Sequence, residues 1–130
     1  MSLFTLKNTL IIDAITCTGL FVFCVFATAT VATLLGLPSE LVTVAGWIGL
    51  PSALLMLFVA NQKVPNKGLA NLIAVGNLGW VIASIAALAI FAGQMTALGI
   101  AVVVVQAIGV LVFAIFEVKG AATLPRTITV

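Results

Sequence analysis

Histidine is absent from this chain, and charge is scarce: five basic and three acidic side chains in 130 residues. Without an imidazole, the usual axial ligand of haem and the commonest metal ligand are both missing. A Ser/His/Asp nucleophile cannot be assembled either. Neither a metal nor a cofactor is expected. Eight charges also cannot cover the surface of a soluble domain in which 64% of residues are hydrophobic, so the composition is that of a membrane domain. The net charge of +2 is too small to argue for nucleic acid and allows only weak attraction to anionic headgroups.

The remaining scarcities point the same way. The two cysteines, Cys17 and Cys24, lie seven apart on one predicted helix. A rise of roughly 10 Å separates them, too far for an intrahelical disulfide. They read as packing residues or as an intersubunit contact, and neither has a plausible base on a nearby segment. Gly76-x-x-Gly79 is not a phosphate loop, because no Lys-Ser/Thr follows it. No enzymatic constellation emerges, and a non-enzymatic protein is expected.

What the chain does have is four long apolar stretches. The first is predicted to be helical over about 9–35 and to stop at Gly36-Leu37-Pro38, glycine after the last turn and proline beyond it. Ala27-Thr28-Ala29 resembles a signal-peptide cleavage site, but the apolar run continues to Leu37, so a retained span is expected. Ser39 is placed to cap a second helix over about 41–60, with Glu40 in its first turn near the positive end of the helix dipole. The polar loop 61–68 leads to a third helix over about 69–92. Gly93-Gln94-Met95 makes a turn, and Thr96 caps a fourth helix over about 96–118. Each stretch has about 20 residues or more, enough for the roughly 30 Å hydrocarbon layer. Short connections make sequential helices antiparallel neighbours.

All of the basic residues lie in segments that one side of a membrane would receive. Lys7 precedes the first stretch, Lys63 and Lys67 separate the second from the third, and Lys119 and Arg126 follow the fourth. The other two connections carry none. Because cytoplasmic segments are enriched in Lys and Arg, the expected fold is a single all-α membrane domain over 1–130, a four-helix up-down-up-down bundle with both termini cytoplasmic.

Helices associate in lipid by close packing of small residues. Ala45, Gly49 and Ala53 form such a stripe on the second helix, in a segment that Pro51 is expected to kink. Gly76 and Gly79 mark the third helix, and Gly99 and Gly109 the fourth. The threonines of the first helix, Thr16, Thr18 and Thr28 among them, can bond back to their own backbone.

Polar groups inside the spans are expensive, and each is a functional candidate. Asp13 sits about one turn inside the first predicted helix, and Glu117 in the last turn of the fourth. They can form a carboxylate pair at one mouth of the bundle, or each can pair at the interface with Lys7 or Lys119. Asn77 and Ser84 share a face of the third helix, with Trp80 between them. Gln106 and Glu117 share a face of the fourth, roughly 16 Å apart along its axis. An Asn77–Gln106 hydrogen bond would join these helices or line a small cavity. Trp80 is too deep for an interfacial anchor, whereas Trp47 suits the aromatic belt.

The segments Leu34-Leu35-Gly36-Leu37-Pro38, Gly76-Asn77-Leu78-Gly79-Trp80-Val81-Ile82-Ala83-Ser84 and Thr96-Ala97-Leu98-Gly99, followed by Gln106-Ala107, resemble a family of small bacterial four-span integral membrane proteins. The resemblance implies a bacterial inner membrane and carries no functional residues with it. Small multidrug-resistance transporters are similar in length and span number, but they have a glutamate well inside the first helix. Here only Asp13, near the predicted helix end, is available. Two functions follow as expectations. One is an accessory or scaffolding subunit, or a self-associating bundle, whose partners are lipids and other transmembrane helices or itself. The other is a small dimeric transporter or channel with a polar path near Asn77, Ser84 and Gln106.

Overall fold

The computed structural model describes residues 3–125, so the position of Arg126 lies outside the described residues. Five helices occur in order: α1 (Leu3–Phe26), α2 (Thr28–Leu35), α3 (Ser39–Asn61), α4 (Lys67–Phe91) and α5 (Ala97–Ala122). There is no strand among the described residues. All but the short α2 are long and apolar enough to cross a membrane, so the protein is an all-helical, multi-pass membrane protein by length and composition.

Two boundaries differ from expectation. The first span is not one helix over 9–35: it begins at Leu3 and breaks at Ala27, whose φ of −124° and ψ of 35° leave the helical region. The Thr28 hydroxyl explains the break locally. It donates to Cys24 O at 2.6 Å and to Val25 O at 3.0 Å, carbonyls that would otherwise accept from the amides of the next turn. Back-bonding of this kind bends helices. Thr16 and Thr18 make single back-bonds, to Ile12 O and Ala14 O, without such a break. The last helix also runs past 118, to Ala122.

The turns follow their residues. Gly36 adopts the left-handed conformation at φ 72° and donates to Ala32 O, ending α2. Pro38, not Ser39, occupies the cap position of α3, with no side-chain cap bond, while Glu40 lies in the first turn as expected. Asn66 caps α4 by accepting from Leu69 N at 3.0 Å, and Thr96 caps α5 by accepting from Gly99 N at 2.9 Å. Pro51 sits on the exposed side of α3, which continues through it as helix.

Packing proceeds by pairs. α1 lies along α3, α4 lies along α5, and the two pairs meet mainly through α1 and α5. Glycines set the close approaches. A Cβ on Gly49 would stand 2.7 Å from Cys17 O, one on Gly46 would meet Cys24 and Val25 side chains at 2.8 Å, and one on Gly120 would meet Leu6 at 2.8 Å. Gly99 packs on Leu35 O of α2. The core is built from Leu6, Leu10 and Ala14 of α1, Ala53, Met56 and Val59 of α3, and Ala70 and Ile73 of α4.

Candidate functional site

The deepest polar cluster joins three helices. Asn77 Nδ2 donates to Asp13 Oδ2 at 2.7 Å and to Glu117 Oε1 at 2.6 Å. One amide nitrogen of α4 therefore holds a carboxyl of α1 and a carboxyl of α5. The burial is nearly complete: Asp13 is 1% exposed, Glu117 0% and Asn77 7%. Cys17, one turn beyond Asp13, donates its thiol to Asp13 Oδ1 at 3.7 Å. Glu117 Oε2 is buried with no hydrogen-bond partner.

Both acids are buried among the helices, Glu117 five residues before the end of α5. Because α1 starts at Leu3, Asp13 lies roughly 15 Å along it, nearly three turns in. Asn77 lies equally far along α4, which starts at Lys67. Neither acid reaches an interfacial lysine through the bonds it makes. Lys7 Nζ donates instead to Lys63 O at 3.1 Å. The buried acids are thus held by a neutral amide, and the interior does contain a cluster of ionisable groups.

Elementary electrostatics limits what this layer can hold. Two unit charges 4 Å apart repel by about 4 kcal/mol at an effective dielectric constant of 20. Stripping a carboxylate of water costs several kcal/mol more for each ion. Asn77 has only two N–H groups, one for each carboxyl. Two fully ionised carboxylates at this place would be poorly compensated.

A second polar layer lies farther along α4. Trp80 Nε1 donates to Gln106 Oε1 at 2.7 Å, and Gln106 Nε2 donates to Ser84 Oγ and to Val103 O, each at 2.9 Å. Ser84 Oγ in turn donates to Trp80 O at 2.8 Å. Gln106 therefore bonds to Trp80 and Ser84, not to Asn77 as expected. The antiparallel register gives the direction of the change: with Asn77 bonded to Glu117, Gln106 lies well past Asn77 along the bundle, on the side of Trp80 and Ser84. This layer closes on itself, whereas the acid layer leaves an oxygen open. That contrast marks the Asp13–Asn77–Glu117 cluster as the candidate site.

The structure thus gathers all six candidate polar residues into two adjoining layers. Cys17 was missed as a member, although its spacing of four from Asp13 puts the two on one helix face. Trp47 is half-exposed and meets Phe21 edge-on, with ring centroids 5.3 Å apart. Of the small residues, Gly49, Ala53 and Gly99 are buried at helix contacts, and Ala45 is half-buried while its neighbour Gly46 is buried. Gly76, Gly79 and Gly109 have open space where a Cβ would sit. Among the described residues no group of three or more His, Cys, Asp or Glu is arranged to hold a metal ion. No protein-family model, curated protein or solved structure matches the chain.

Proposed function

We propose that this is a small, non-enzymatic carrier of a bacterial inner membrane, which passes a small polar species along the column formed by its two polar layers. The observation that carries this is the buried acid pair with an unpartnered carboxyl oxygen. An ionisable group buried within an apolar span is costly, and its default reading is a functional site. The Trp80–Ser84–Gln106 layer extends polar side chains farther along the same helices.

An up-down-up-down course with both ends cytoplasmic is part of the proposal. At one end of the bundle, Lys7 bonds to Lys63 and Leu6 packs on Gly120. At the other, Thr96 N donates to Leu35 O at 3.1 Å and Gln94 Nε2 donates to Gly36 O at 3.3 Å. The distribution of lysines supports the first of these ends as the inner one. The resemblance to small bacterial four-span proteins supports the choice of membrane.

The test uses single cysteines at positions 77, 84 and 106 in a chain lacking Cys17 and Cys24. A small water-soluble thiol reagent is expected to label each from at least one face of sealed vesicles. Complete lack of reaction at all three would exclude a polar path.

An accessory or self-associating subunit is the second reading, and a specific observation favours it. Gly76, Gly79 and Ala83 are exposed on α4 among Leu72, Val75 and Ile82, a face on which another helix could pack closely. Native mass spectrometry that recovers only monomers from lipid would remove it.

A further inference from the structure

We propose that the carboxyls of Asp13 and Glu117 hold one exchangeable proton between them, Glu117 Oε2 being an atom it bonds, and that this proton is the species the bundle binds and releases. The proposal deepens the carrier reading and rests on it only for a water path by which the proton departs.

The donors at the site are already committed. Both N–H groups of Asn77 are used, one on each carboxyl, and the Cys17 thiol, a weak donor, serves Asp13 Oδ1. Yet a single amide nitrogen brings the two carboxyls together, at 2.7 and 2.6 Å from it, and Glu117 Oε2 has no donor at all. Two carboxylates have no hydrogen to place between them, and a single added proton supplies it. Carboxyls that share a site in this way do not both ionise.

The surroundings offer no other compensation. α1 contributes Asp13 and Cys17, α4 contributes the neutral Asn77, and α5 contributes Glu117. α3 packs on α1 at this level through Gly49 and bears only Glu40, in its first turn, as an ionisable group. Lys7 is bonded to Lys63 O, and Lys119 is exposed. A metal ion suits the site poorly, because amide N–H groups already point at two of the four carboxyl oxygens and present positive charge to it.

Uptake adds one proton to one carboxylate, making one O–H bond and taking the pair from two negative charges to one. Release breaks that bond and passes the proton to water. α1 and α4 are joined here by side chains rather than by close backbone packing. Loss of the proton sets Asp13 against Glu117, and so the α1/α3 pair against the α4/α5 pair. The proton acts as a clasp between the two halves.

Infrared difference spectroscopy of the full chain in lipid nanodiscs tests this. A protonated-carboxyl C=O band equivalent to one proton per chain is expected at neutral pH, shifting in D2O and vanishing on alkaline titration. Glu117→Gln and Asp13→Asn are each expected to abolish it. The wild-type titration and D2O shift require no variant to fold. Absence of the band at neutral pH, its failure to shift in D2O, its persistence in both variants, or its loss on adding sodium at constant pH would each overturn the proposal. Infrared titration together with unreactive cysteines at 77, 84 and 106 would retire the carrier while leaving the proton site. Reactive cysteines without the band would do the reverse.

Discussion

Asn77 carries no charge, yet two acids depend on it. Its amide is the shared donor of carboxyls from α1 and α5, so removing it leaves both without that partner. Asn77→Leu is expected to destabilise the folded bundle by about 3–5 kcal/mol, the range seen when one member of a buried charged network is deleted. Ser84→Ala, which weakens a layer that has further bonds, is expected to lose only about 1 kcal/mol. Reversible unfolding in mixed detergent micelles measures both, and equal losses would contradict a special role for Asn77. That Asp13, Asn77 and Glu117 were candidates was readable from their polarity inside apolar stretches. Their partnership was not, because Asp13 and Asn77 lie 64 residues apart and Asn77 and Glu117 lie 40 apart.

Among the helices, glycine means different things in different places. Gly99 lies directly on the Leu35 carbonyl, and a Cβ there would collide with backbone. Gly76 meets nothing. Gly99→Ala is accordingly expected to cost about 2 kcal/mol or more, as overpacking does. Gly76→Ala should change the stability of the monomer by less than about 1 kcal/mol, in the stabilising direction that helix propensity favours. The same unfolding measurement distinguishes them, and a loss at Gly76 comparable to that at Gly99 would indicate a partner on the exposed face of α4. Both glycines look alike as letters within apolar runs. The break at Ala27 was equally hidden, since Thr16, Thr18 and Thr28 all bond back to carbonyls and only Thr28 reaches two. Gly36-Leu37-Pro38, Asn66 and Thr96, by contrast, were legible because turn and cap chemistry acts over three or four residues.

For the molecule as a whole, the proposed course of the chain makes a direct prediction. Reporter fusions at the N-terminus, in the loop around Lys63 and Lys67, and at the C-terminus are expected to report the cytoplasmic side. Fusions near Gly36-Leu37-Pro38 and Gly93-Gln94 should report the opposite side. Any one of the first three found outside would reverse the assignment of the acid pair's nearer mouth. The number of spans and the crowding of lysines into alternate segments could be read residue by residue, because transfer of an apolar run into hydrocarbon sums along the chain and a loop's charge acts locally. The meeting of the two acids on one amide could not. It depends on how each helix is rotated and how far it slides against its neighbours, which the close contacts at Gly49, Gly99 and Gly120 set between segments remote in the chain. Composition therefore accounts for the four apolar spans, while packing accounts for the buried carboxyl oxygen left without a partner between them.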